Sequence, residues 1–141
     1  MEDSFERIIF PTIEEICEVN HSLITTTGGA FYPPFNLQNP SGLTWALDCI
    51  QSPFLFGNNI YPTLSDKTAL LTWTIINDHV FFDGNKRTGM ALIRIIHIDN
   101  NILFSAVDHE LVETARDIIN YRASGFTKQR LSQWIEEIKI R

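Results

Sequence analysis

The chain has 141 residues, 44% of them hydrophobic, with ten phenylalanines and three tryptophans, which is enough for one domain (1–141) with a sizeable core. A formal charge of −6 argues against nonspecific binding to DNA or RNA, which needs clustered lysine and arginine, and no apolar run is long enough to span a membrane. No charged-then-apolar leader opens the sequence, so the cytoplasm is the expected location, and Cys17 and Cys49, without CxxC or histidine-rich context, are expected as reduced, buried thiols.

The first helix is predicted from Thr12 to about Ser22, with Thr12 as its cap and Glu14 and Glu15 in the first turn, where negative charge suits the helix dipole. Gly28 to Pro40, with three prolines, reads as an irregular connection over the surface. Ser41 is expected to cap a second helix carrying Leu43, Leu47 and Ile50, which Pro53 stops. Phe54 to Pro62 is aromatic and β-branched around Gly57-Asn58-Asn59, the pattern of a short hairpin or of a hydrophobic loop closing the core. Ser65 and Asp66 start a helix over Lys67 to Asn77, which delivers His79 at its end.

His79-Val80-Phe81-Phe82-Asp83-Gly84-Asn85-Lys86-Arg87-Thr88-Gly89 then runs into the apolar stretch Met90 to Ile98, predicted to be a helix through the middle of the domain. A helix N-terminus held by packing presents free N–H groups and partial positive charge, so it receives anions readily. Gly84 permits positive φ or close ligand approach, while Asn85, Lys86 and Arg87 add donors at that end. Adjacent cations oppose the dipole there, an arrangement that makes sense when a phosphate lies between them. His79 has the side chain best suited to deprotonating a hydroxyl near neutral pH, and Asp83 is a hard oxygen ligand for Mg²⁺. Phe81 reads as a core anchor. The alternative is structural: His79 and Asp83 as an ordinary surface pair four residues apart, Lys86 and Arg87 as solvated charges.

Asn100-Asn101 forms the exit turn, and Asp108 begins a helix with Leu111, Val112, Ala115, Ile118 and Ile119 at helical spacing, ended by Gly125. Thr127 caps the last helix, whose Leu131, Trp134, Ile135 and Ile138 form one apolar stripe.

The pattern His-x-Phe-x-Asp-Gly-Asn-Lys-Arg-Thr resembles the signature of the Fic/Doc superfamily, in its death-on-curing (Doc) branch. Thr27-Gly28-Gly29, the helix around Gly42-Leu43 to Ile50, the aromatic hairpin region and the tail helices follow in the order seen in Doc-like proteins. The resemblance implies an all-α bundle of about six helices around a buried central helix, with a β-hairpin flap that aligns a strip of the target protein. It also implies ATP and Mg²⁺ as substrate and cofactor. The AMP-transferring branch carries His-Pro-Phe-x-x-Gly-Asn-Gly-Arg-x-x-Arg, from which Val80, Lys86 and Met90 depart. Lys86 in place of glycine accompanies an inverted nucleotide and γ-phosphate transfer in Doc-like proteins, so the resemblance implies a kinase acting on a Ser or Thr hydroxyl. In the family the target is elongation factor Tu, whose modification halts translation, and a small antitoxin neutralises the toxin. Ala91 stands where Doc has an asparagine. AMP transfer and a catalytically silent binding module are the alternatives. Ser132 and Glu136 have the spacing of an inhibitory Ser/Thr-x-x-x-Glu motif, but Glu137 follows where glycine or asparagine belongs, and both residues suit the solvent face of the last helix.

Overall fold

The computed structural model describes residues 8–51, 54–55 and 58–140. Three of the helices begin where a threonine hydroxyl accepts from one of their first amides. In α1, Ile13–Thr27, the Thr12 hydroxyl accepts from the Glu15 amide while the Glu15 carboxylate accepts from Thr12, closing a capping box. The helix continues beyond Ser22 and ends at Gly28. α2, Ser41–Gln51, starts with Ser41 already helical, its hydroxyl bonded to the Asn39 side chain at 3.2 Å, so Ser41 is not the expected cap. Pro53, the expected stop, lies outside the described residues. β1, Phe54–Leu55, and β2, Asn58–Asn59, pair antiparallel, placing both asparagines in the second strand and not in the turn. Gly57 of that expected turn lies outside the described residues.

α3, Leu64–Asn77, is capped by Thr63 reciprocally with Asp66, not by Ser65. α4 is Asn85–Asp99, α5 Asp108–Ile119, α6 Tyr121–Ser124 and α7 Lys128–Ile138. Thr127 caps α7 as expected, accepting from the Arg130 amide at 3.0 Å. Gly125 ends α6 in the left-handed conformation, because the predicted long helix breaks at Asn120. Among the described residues the architecture is therefore seven helices and one short hairpin, an all-α fold.

The helix enclosed on most sides is α3, not the stretch after the motif. It packs against α2, α4, α5 and α7, and even its Ser65, Lys67, Thr68, Thr72 and Thr74 are buried. These polar residues hide its position from hydrophobic periodicity. α4 buries Met90, Leu92, Ile93 and Ile96 but leaves Ile98 65% exposed. α3 and α4 cross closely at Gly89, where a Cβ would lie 2.8 Å from Ile76 Cγ1 and 3.3 Å from the Thr72 carbonyl. That contact, together with Ile16, Leu71, Phe81, Leu92 and Ile96 of the main core, fixes the N-terminal end of α4 in space. Cys17 and Cys49 are buried free thiols, each pushed up in pKa chiefly by burial.

Candidate active site

α3 stops at Asp78, and His79 takes the left-handed conformation, φ 51°, which turns the chain sharply and leaves its imidazole exposed. Val80 and Phe81 follow and are fully buried, so the loop is anchored immediately beyond the exposed histidine. Phe81 is the expected core anchor. Its main chain forms an isolated antiparallel bridge with Leu37, the Gln38 amide donates to the Val80 carbonyl at 2.8 Å, and the Phe82 amide donates to the Asn36 carbonyl at 2.9 Å. The proline-rich connection thus serves as one edge of the motif loop.

Beneath the loop lies a polar knot within the core. Asn20 and Asn36 are both fully buried. The Asn20 amide group donates to the Asp83 carbonyl at 2.9 Å and to Thr88 Oγ1 at 3.1 Å, and its oxygen accepts from Asn36 Nδ2 at 2.9 Å. Asn36 Nδ2 also reaches the Asp83 carbonyl at 3.3 Å. Asn20 could have been suspected in the sequence, since it is the one polar residue in phase with Ile13, Ile16, Cys17 and Ile24. Asn36 sends no comparable signal.

Gly84 then caps α4 with φ 81°, and a Cβ on it would lie 2.9 Å from Asn20 Nδ2. Asn85 uses its side chain on the loop: its oxygen accepts from the Phe81 amide at 2.9 Å and its nitrogen donates to the Phe81 carbonyl at 2.8 Å. What Asn85 can offer an anion is therefore its main-chain N–H, which with those of Lys86 and Arg87 has no acceptor within the helix. The helix begins at Asn85, one turn earlier than the apolar stretch implies, so both cations sit in its first turn.

Asp83 points its carboxylate back at main chain. Oδ2 accepts from the Ala30 amide and Oδ1 from the Gly84 amide, each at 2.8 Å. The Ala30 and then the Gly84 hydrogen bond hold this carboxyl below the usual carboxylate range, with Arg87 adding to them and slight burial opposing. The group stays ionised, and its side chain is 42% exposed. Arg87 reaches across to α1, where it donates to the Thr27 hydroxyl and to the Gly28 carbonyl at 2.7 Å, and its guanidinium stands 4.0 Å from Asp83. Lys86 is exposed and has no ion pair or hydrogen bond among the described residues.

All six candidate residues, His79, Asp83, Gly84, Asn85, Lys86 and Arg87, line one cleft of about 800 Å³. Its opposite wall is built by the break between α5 and α6, which brings Asn120, Tyr121 and Arg122 to face the motif. The Arg122 guanidinium lies 5.6 Å from the Tyr121 ring centre. No motif marks these three residues, because their position depends on where α5 ends in space. Ser132 and Glu136 are not in this cleft. Ser132 donates to Asp66 at 2.6 Å and Glu136 accepts from Ser65 at 2.7 Å, so they dock α7 on the first turn of α3 and do not simply face solvent.

Among the described residues no group of three or more His, Cys, Asp or Glu side chains could hold a metal, and no helix is long and apolar enough to cross a membrane. Over 67 residues the chain is 36% identical to the protein described as "Toxin Doc" of Mycolicibacterium smegmatis (strain ATCC 700084 / mc(2)155). That match takes in 47% of this chain and 49% of that protein, so the chain spans about half the length of the curated relative it matches. The model of the Fic/DOC family matches residues 10–97, from the start of α1 through the motif and most of α4, and the chain therefore belongs to that family.

Proposed function

We propose that the chain is a Doc-type toxin that transfers the γ-phosphate of ATP to a Ser or Thr hydroxyl of a protein. The observation that carries this reading is an unpartnered ammonium, Lys86, in the first turn of α4, sharing a cleft with an exposed imidazole. Membership of the family and likeness to a protein named as a toxin support the toxin reading.

The donor set fits a phosphate-bridged magnesium ion better than a protein-caged one. Asp83 offers one ionised carboxylate whose side chain is 42% exposed, each oxygen accepting one main-chain amide, and Mg²⁺ is commonly held by one or two carboxylates plus substrate phosphates. When bound, the ion would neutralise developing charge on the phosphates. The chain's own residues do the rest. The α4 amides and Lys86 bind the terminal phosphates, while Arg87, anchored on Thr27 and Gly28, stiffens the loop and lends its charge from one side. His79 takes the hydroxyl proton as the acceptor oxygen bonds to the γ-phosphorus and ADP departs. By family resemblance the target is elongation factor Tu, and an antitoxin supplies the restraint.

Incubation of the purified protein with γ-labelled ATP, Mg²⁺ and a cell extract tests the reading. A labelled protein band that disappears in His79→Ala is the expected result. Label that transfers from α-labelled but not γ-labelled ATP would assign AMP transfer instead. Toxicity in cells unaltered by His79→Ala would assign a binding module.

A further inference from the structure

A second hollow, of about 300 Å³, lies on the outer side of α1. Glu14 and Glu18 form one side of it, one helical turn apart and both exposed. Phe31 and Phe35, from the connection after α1, also line it: the Phe31 ring stacks on that of His21, which follows Glu18 on α1, with centres 4.3 Å apart, and Phe35 is 55% exposed. No lysine or arginine lines the hollow, and neither glutamate has a cation within ion-pair distance among the described residues. Two unpaired carboxylates beside aromatic faces make a receptor for a cation with an apolar stem, since the carboxylates attract the charge and the rings both pack against the stem and attract the charge.

The hollow does not stand apart from the cleft. Exposed Tyr32 pairs its ring with Phe82, centres 4.7 Å apart, and Phe82 itself lines the cleft. The turn that carries Phe31, Tyr32 and Phe35 is held by Asn36, which accepts from the Tyr32 amide at 2.9 Å and donates back to the Tyr32 carbonyl at 2.8 Å. Asn36 is the same residue that bonds Asn20 and supports the loop at Phe82 and Asp83. One buried residue therefore holds both the aromatic strip and the motif loop, so the strip and the cleft form a surface set before binding.

We propose that this hollow and the aromatic strip dock a basic segment of the protein substrate, one arginine or lysine seated between the Glu14–Glu18 pair and the Phe31 and Phe35 rings. The part concerning substrate rests on the transferase reading above; the recognition of a basic side chain does not.

The first arm is an NMR titration of the full chain with the peptide acetyl-Gly-Arg-Gly-amide, and with its Gln and Glu counterparts. Saturable shifts at Glu14, Glu18, Phe31 and Phe35 are expected with the Arg peptide, weakened about tenfold in the Glu14→Gln, Glu18→Gln double variant, since exposed ion pairs are worth up to about fivefold each. Equal binding of the Gln peptide, or unchanged binding by the double variant, overturns the proposal. The second arm measures labelling in extract. The double variant is expected to label about tenfold more slowly at low extract concentration, to recover at saturation, and to keep its KM for ATP. If no protein is labelled by the native chain, the transferase reading fails and the titration alone decides the docking site. If labelling proceeds equally in both proteins and the peptide does not bind, the docking site fails and the enzyme stands.

Discussion

Asn20 lies outside the motif, yet the motif loop depends on it. Replacing it by alanine removes three hydrogen bonds inside the core, to the Asp83 carbonyl, Thr88 Oγ1 and Asn36 Nδ2. The Asp83 carbonyl and Asn36 keep their mutual bond at 3.3 Å, whereas the fully buried Thr88 hydroxyl has no other hydrogen-bond partner among the described residues. At a net 1 kcal/mol or so per bond, plus a similar penalty for the stranded hydroxyl, the loss is about 3 to 4 kcal/mol. For a chain of 141 residues this lowers the melting temperature by about 10 °C. Asn20→Asp is expected to be at least as damaging, because it keeps the shape, removes the donor and buries a charge. Asn39→Ala serves as the control: its bonds to the Asp78 carbonyl, 3.0 Å, and from the Ser41 hydroxyl, 3.2 Å, are both exposed, and their loss should stay within about 1 kcal/mol. Thermal melts and urea titrations of the three variants measure the effect. An Asn20→Ala protein melting within about 2 °C of the parent would refute the view that this knot holds the loop.

Gly84→Ala forces a Cβ to 2.9 Å from Asn20 Nδ2 and 3.1 Å from Ile24 Cδ1 at φ 81°, so about 2 to 3 kcal/mol should be lost in urea unfolding. His97 is fully buried, and burial holds its pKa below the ordinary 6.5. The unfolded chain therefore takes up a proton that the folded chain refuses, and stability should fall as pH drops through about 6.5. His97→Phe should flatten that slope in urea midpoints collected between about pH 7 and pH 5. Ser132→Ala and Ser65→Ala each sever one bond between α7 and the start of α3, and each should cost about 1 kcal/mol, with hydrogen exchange in α7 rising first. Lys86→Met should leave stability within about 0.5 kcal/mol, since Lys86 is exposed and unpaired, while weakening ATP binding about tenfold or more by calorimetry.

Local rules carried much of the fold. Thr12 and Thr127 cap their helices because a hydroxyl at that position meets an amide within three residues, a relation the chain contains before it folds. The apolar phases of α1 and α7 locate their buried sides for the same reason, as do Leu111, Ala115 and Ile118 of α5, although Val112 and Ile119 of its expected stripe are exposed; the motif's order places an imidazole, a carboxylate and two cations around one helix start. Tertiary structure decided what depends on partners distant in sequence. α3, rich in threonine, became the enclosed helix because neighbours surround it, while α4 kept an exposed edge. Asn85 turned its side chain to Phe81, and Arg87 reached to Thr27 and Gly28, leaving Lys86 as the unpaired cation of the first turn. Asn20 and Asn36 joined across sixteen residues, and the end of α5 closed the cleft with Tyr121 and Arg122. Residue type and spacing determine which groups a short stretch can offer. Which of those groups remain free for a ligand is settled only when packing has satisfied the others.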